Sequence, residues 1–118
     1  MKITYIHHSC FSVELDKCIL LFDYFKGKLP EFNKDKKLYI FSSHSHYDHF
    51  DKSIFKIEKS NPNVTYILSN DINAHKADNR IFIGANERLS LDNMEVRTLE
   101  SSDLGVAFIV KIENKQDL

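Results

Sequence analysis

The stretch Tyr39–Phe50 has the sequence YIFSSHSHYDHF, and six consecutive residues within it contain four side chains of metal-binding type. They are His44, His46, Asp48 and His49. Imidazole and carboxylate groups are ligands of zinc and similar divalent ions. In a chain with this content of His and Asp, such a run is expected by chance about once in a thousand chains. The sequence therefore favours a metal site over a loop that is His-rich by accident.

The spacing of these residues indicates the chemistry. His44 and His46 are two apart in an extended segment, so their side chains point to the same side and could close on one ion. Asp48 and His49 follow a bend at Tyr47 and could face a second ion nearby. Zinc lowers the pKa of bound water to about 7, which makes hydroxide available at neutral pH. The pattern predicts metal-assisted hydrolysis, in which Asp48 ligates, orients the hydroxide or passes a proton to the leaving group.

Most of the other segments are predicted to be strands. Apolar runs and apolar–polar alternation predict strands at Ile3–His7, Phe11–Leu15, Cys18–Phe22, Lys37–Ser42, Val64–Leu68, Arg80–Ile83, Glu87–Leu91, Met94–Leu99 and Gly105–Ile112. Turns at Asp16–Lys17 and Asp92–Asn93 close two hairpins, and the polar residues 113–118 are expected to fray.

One clear helix is predicted directly after the His cluster. Asp51 is placed to cap it, with Phe50 and Phe55 forming a hydrophobic staple, and it runs to about Ser60. Residues 71–78 are expected to form one or two further helical turns.

Composition limits the possible partners and compartment. Sixteen basic and 17 acidic side chains nearly balance, and no basic patch indicates a nucleic-acid partner. No apolar run is long enough to cross a bilayer or to form a signal-peptide core, so we expect a cytoplasmic protein without a membrane partner. Cys10 and Cys18 are then expected to be reduced, buried thiols.

Residues 1–118 show no linker or repeat and are expected to form a single domain.

The run from His44 to His49 resembles the HxHxDH motif of the metallo-β-lactamase-fold hydrolases. The opening ITYIHHSCFSVEL, followed by CILLFDYF, is similar to the UlaG-like branch of those metal-dependent hydrolases. The resemblance implies an α/β fold (α+β by strand content) with the architecture of an αβ/βα sandwich. This chain would supply about the N-terminal half of that sandwich, with a mixed sheet and one main helix. It also implies two Zn²⁺ ions in a complete site, with other divalent ions left open. His44 and His46 would bind the first ion, and Asp48 and His49 the second.

The resemblance suggests three further site residues. Asp23, at the end of a strand, would orient a ligand imidazole, although a simple turn residue explains it equally well. His8 would lie near the mouth of the site, or be an exposed turn histidine. Many relatives carry a third His ligand where this chain has Leu99–Gly105. There Asp103 could ligate, or form a turn before the last strand. His75 is expected to be an exposed surface residue.

These expectations lead to one main function and two rivals. A lone half of the sandwich would leave a sheet face exposed, so we expect a homo-oligomer or the remainder of a longer chain to cover it. The main expectation is a zinc-dependent hydrolase acting on a small-molecule ester, phosphoester, lactone or amide. The rivals are a non-catalytic metal-binding or scaffold protein of the same fold, and an interaction domain whose His cluster is accidental.

Overall fold

The computed structural model describes residues 1–7, 9–92, 94–101 and 105–112. Within these ranges the strands are β1 (Lys2–His7), β2 (Cys10–Glu14), β3 (Cys18–Phe22), β4 (Lys37–Ser42), β5 (Val64–Ser69), β6 (Arg80–Ile83), β7 (Arg88–Leu91), β8 (Met94–Glu100) and β9 (Val106–Ile112), and a 3₁₀ helix spans Lys52–Lys59. Every predicted strand is present, within one residue of its expected bounds. The residues predicted to fray, 113–118, lie outside the described ranges.

The strands form two sheets. The larger has six strands in the order β1 to β6, antiparallel from β1 to β3 and parallel from β3 to β6. The smaller has the order β7-β8-β9 and is antiparallel throughout. Both predicted hairpins, β2–β3 and β7–β8, are therefore confirmed, although Asn93 of the second turn is outside the described residues.

The predicted helix after the His cluster is present, but it is a 3₁₀ helix rather than an α-helix. Asp51 caps it, accepting a hydrogen bond from the backbone N–H of Ser53, and the Phe50 and Phe55 rings meet with centroids 6.0 Å apart. Its inward residues, Ile54 and Ile57, are three apart. This spacing suits 3.0 residues per turn, because residues i and i+3 eclipse in a 3₁₀ helix.

The helical turns expected at residues 71–78 are absent, which corrects that prediction. The segment has a turn at its start, where Ile72 donates to the Ser69 carbonyl, and a turn at its end, where Arg80 donates to the Ala77 carbonyl, with no regular structure between them. The Asp71 carboxylate accepts hydrogen bonds from Ser69 and Ser45. Asp and Asn favour such local bonds over helix interiors, and they recur in this segment.

Apolar side chains on the two faces of the larger sheet form two separate cores. One face packs against the 3₁₀ helix, with Ile19, Leu21 and Ile54 among its buried residues. The other packs against the smaller sheet, with Phe41 and Val96 among them. The order of layers is therefore helix, mixed sheet, second sheet, which agrees with the predicted α/β sandwich.

One end of the inner sheet face is open to solvent. The register aligns Ile3 with Val13 and Tyr5 with Phe11, so these two β1 side chains lie on the same face of the larger sheet that β9 packs against at the neighbouring strands. Ile3 and Tyr5 are 62% and 69% exposed. In the described part of the chain, no helix has the length and apolar character needed to span a membrane.

Candidate metal centre

The His cluster lies at the edge of the larger sheet where three parallel strands end. Asp23 directly follows β3, the loop that begins at Ser43 follows β4, and Asp71 lies two residues beyond β5. Open α/β sheets bind ligands outside the carboxyl ends of their strands. The topology thus brings a serine and two carboxylates together around the base of the histidine loop.

The three imidazoles of the motif lie close together and are half-buried. The ring centroids of His44 and His49 are 4.4 Å apart, and those of His44 and His46 are 6.1 Å apart. A tight turn produces this arrangement, because the backbone N–H groups of His49 and Phe50 both donate to the His46 carbonyl. The turn brings His49 closer to His44 than His46 is, so the rings form one cluster rather than two separate pairs.

Asp23 connects the cluster to the strand beneath it. Its carboxylate accepts hydrogen bonds from the Ser43 backbone N–H at 2.7 Å, from the Ser43 hydroxyl at 2.8 and 3.0 Å, and from His49 Nδ1 at 3.1 Å. Asp23 has a φ of 52°, a left-handed conformation that Asp tolerates better than most residues. It is therefore a turn residue that also holds a ring nitrogen of the motif.

Hydroxyl groups contact both ring nitrogens of His44. The Ser43 hydroxyl lies 2.6 Å from Nδ1, and the Ser101 hydroxyl lies 2.9 Å from Nε2. Ser101 directly follows β8, so this contact links the two sheets. Asp48 lies at the outer side of the cluster, where its Oδ1 is 3.7 Å from His49 Nε2.

The types and proximity of these side chains fit a divalent ion, but the site is not preorganised. Three imidazoles and one carboxylate are the ligands that zinc prefers. Among the residues that the structure describes, no three His, Cys, Asp or Glu side chains are placed to hold one ion. An ion held by His44 Nε2 would take the place of the Ser101 hydroxyl that contacts this nitrogen.

A cavity of about 580 Å³ opens beside the cluster, between the two sheets. Its polar end includes Asp23, Ser43, His44, His49 and Ser101. The rest of its wall is apolar, with residues of β2, β3 and β9. A volume of this size is typical of small-molecule sites.

Not every predicted site residue can be placed. His8 and Asp103 lie outside the described residues. His75 is exposed and far along the chain from the motif, as expected, and its carbonyl accepts a hydrogen bond from Arg80. Sequence reasoning missed Asp71, although its position after β5 parallels that of Asp23 after β3.

A family model described as the beta-lactamase superfamily domain matches residues 2–111. The chain therefore belongs to this superfamily, and its layers form part of a metallo-β-lactamase-like fold.

Solved structures of similar fold include CmlA, a diiron beta-hydroxylase from Streptomyces venezuelae, and a mutant of the CmlA beta-hydroxylase. Both are 14% identical to the chain with a TM-score of 0.62, and the matches cover 93% and 92% of it. The chain spans only 27% and 28% of those proteins, and at this identity the likeness shows the fold alone. No curated protein matches the chain.

Proposed function

We propose that this chain carries the metal-binding motif of a metal-dependent hydrolase, with His44, His46, Asp48 and His49 as the ligands. The observation that supports this most strongly is the clustering of all three motif imidazoles at the carboxyl end of β4. Membership of the beta-lactamase superfamily supports it as well. Zn²⁺ is the proposed ion, two in a complete site. Iron is the alternative, because structures of a diiron enzyme share the fold.

The residues around the cluster have distinct tasks in this proposal. A bound divalent ion would supply Lewis acidity and a hydroxide nucleophile at neutral pH. The Asp23 carboxylate accepts from His49 Nδ1, which favours the tautomer that leaves Nε2 with a lone pair for an ion. Asp48, at the outer side of the cluster, is available to orient the nucleophile or to transfer a proton to the leaving group.

The proposed substrate is a small-molecule ester, phosphoester, lactone or amide. All four classes present a carbonyl or phosphoryl oxygen that a divalent ion polarises. The cavity beside His44 and His49 offers room for such a molecule next to the motif.

A partner is also part of the proposal, because the apolar side chains of Ile3 and Tyr5, on the open end of the sheet face, are largely exposed to solvent. Large exposed apolar patches are uncommon on soluble monomers. We propose that a second copy or the remainder of a longer chain covers this face. Light scattering at micromolar concentration should show an oligomer of this chain, and a monodisperse monomer would contradict coverage by a second copy.

The hydrolase proposal is tested with generic substrates. We expect the zinc-loaded chain to hydrolyse a phosphodiester or a lactone, and we expect a chelator or His46→Ala to abolish the activity. His75→Ala removes an exposed imidazole outside the motif and should leave the rate unchanged. Hydrolysis that survives both the chelator and His46→Ala would refute the proposal.

One observation favours a second candidate, a metal-binding protein of the same fold without catalysis. The group that faces His44 Nε2 from the end of the smaller sheet's middle strand is the hydroxyl of Ser101, the residue after β8, and a hydroxyl is a weaker zinc ligand than an imidazole. This candidate predicts that zinc binds and depends on His46, while no hydrolysis is detected with any of the four substrate classes.

A further inference from the structure

Asp71 holds the peptide group between two of the proposed metal ligands. Its Oδ2 accepts a hydrogen bond from the Ser45 backbone N–H at 3.0 Å, and its Oδ1 accepts one from the Ser69 hydroxyl. Ser45 separates His44 from His46 in the sequence. The orientation of the His44–Ser45–His46 backbone is therefore coupled to a carboxylate that lies two residues beyond the neighbouring strand β5.

The Ser45 N–H lies beyond the end of β4, where the backbone no longer pairs with neighbouring strands. Strand β4 ends at Ser42, so the residues that follow have no ladder of hydrogen bonds. In its place, Ser43 donates its N–H to Asp23 on the β3 side, and Ser45 donates its N–H to Asp71 on the β5 side. Two carboxylates, one after each of the strands that flank β4, thus hold alternate amides of the loop.

The ionisation of Asp71 suits this contact. Burial works against its charged form, but the hydrogen bonds from Ser69 and Ser45 outweigh burial and hold the pKa of Asp71 below its ordinary value. The side chain is therefore a carboxylate at neutral pH. Hydrogen bonds to a carboxylate are shorter and stronger than those between neutral groups.

We propose that Asp71 is a positioning residue for the metal centre and sets the separation of the His44 and His46 imidazoles. The inference rests on the proposed metal-binding function and deepens it. Groups that orient metal ligands without binding the ion themselves typically contribute about 10- to 100-fold to metal affinity, and this factor is lost when they are mutated. A purely local role, capping the turn in which Ile72 donates to the Ser69 carbonyl, would instead affect stability without changing zinc affinity.

Zinc affinity of Asp71 variants separates these roles. We expect Asp71→Ala to weaken zinc binding about 10- to 100-fold, measured by competition with a chelating dye. Asp71→Asn keeps an acceptor oxygen for Ser45 and an amide that can bond Ser69, so it should bind zinc within about threefold of the wild type. Wild-type affinity in Asp71→Ala, or equal loss in the Ala and Asn variants, would overturn the proposal.

The chain offers a matched control at the next strand. The Glu87 carboxylate accepts a hydrogen bond from the Gly84 backbone N–H at 3.0 Å, just beyond the end of β6 and outside the His cluster. Glu87→Ala should leave zinc affinity unchanged while removing a contact of the same kind. An equal loss of affinity in Glu87→Ala and Asp71→Ala would show a general effect of stability and would contradict the positioning role.

Amide hydrogen exchange of the metal-free chain provides a readout that does not depend on zinc. We expect faster exchange at the Ser45 N–H in Asp71→Ala and near-wild-type exchange in Asp71→Asn. Unchanged exchange in Asp71→Ala would overturn the inference even if zinc binds. A His46→Ala variant that keeps wild-type zinc affinity would instead refute the proposed function, so the two failures are distinguishable.

Discussion

The carbonyl oxygen of Ser43 accepts a hydrogen bond of 2.8 Å from the backbone N–H of Val106. Ser43 begins the histidine loop on the larger sheet, and Val106 begins β9 on the smaller sheet. The bond therefore joins the two layers at the base of the candidate site. It also brings Gly105, the residue before Val106, against His44.

We predict that Gly105→Ala disrupts this junction. An added Cβ would lie 2.1 Å from the Ser43 carbonyl oxygen and 2.8 Å from His44 Cδ2, and Gly105 has a φ of +95°. The clash and the left-handed backbone together should lower the free energy of unfolding by more than about 2 kcal/mol. Urea denaturation measures this loss.

Gly27→Ala is the matched control for that substitution. Gly27 also has a left-handed φ, +104°, but the nearest atom to its added Cβ is His7 Cβ at 3.4 Å. The control should carry only the backbone cost of about 1 to 2 kcal/mol. Equal losses in the two variants would show that the approach of Gly105 to Ser43 is not tight.

Asp23→Ala should lower both stability and zinc affinity. It removes the acceptor for the Ser43 N–H, the Ser43 hydroxyl and His49 Nδ1, and it places Ala at a φ of 52°. Hydrogen bonds to charged groups contribute about 1.5 to 3 kcal/mol each when both partners are shielded from water. Asp23→Asn tolerates the same φ and keeps one acceptor, so chemical denaturation and zinc titration should place it between the wild type and Asp23→Ala. An Asn variant as weak as the Ala variant in both measurements would contradict the hydrogen-bonding role.

Two buried tyrosines should respond differently to loss of their hydroxyl groups. Tyr39 donates to Asp92 across the two sheets at 2.5 Å, while Tyr66 donates to the Ile54 carbonyl at 2.8 Å. Asp92 is exposed and regains water in Tyr39→Phe, so this change should cost about 1 kcal/mol or less. The Ile54 carbonyl stays buried in Tyr66→Phe, which should cost about 1 to 3 kcal/mol. Thermal denaturation of both variants tests the order, and the reverse order would contradict this account of the two contacts.

Both thiols should be inert in the folded chain. Cys10 and Cys18 are free and buried, as the sequence predicts. Burial, with a smaller contribution from the Asp23 charge, raises the pKa of Cys10 to about 12, and burial followed by the Asp92 charge raises that of Cys18. A raised thiol pKa disfavours the reactive thiolate, so Ellman's reagent at pH 8 should react slowly until denaturant is added. Rapid reaction of either thiol under native conditions would contradict the buried placement.

Local patterns predicted much of this fold because their causes are local. Apolar alternation placed the strands, and Asp51 with the Phe50–Phe55 pair placed the start of the helix. The HxHxDH residues could be grouped because they are neighbours in the sequence. The helical expectation for residues 71–78 was wrong, because the Asp71 carboxylate bonds to side-chain and backbone groups outside any helix.

The contacts that complete the site were beyond the reach of sequence patterns. Ser101 meets His44 across 57 positions of sequence, and Asp71 meets Ser45 across 26. Each contact depends on how the strands align and how the two sheets pack. Only the ends of parallel strands offered a signal, because Asp23 and Asp71 follow β3 and β5 at the same edge. Searching for carboxylates just after the predicted parallel strands could therefore have identified Asp71 as a candidate site residue from the sequence.

Zinc binding by the metal-free chain tests the central claim most directly. Equilibrium dialysis against micromolar zinc should show at least one ion per chain for the wild type and for His75→Ala, whose imidazole lies outside the motif. His46→Ala should lose that ion. Absence of zinc from all three proteins, or equal zinc in His46→Ala and His75→Ala, would contradict the assignment of the motif as a metal centre.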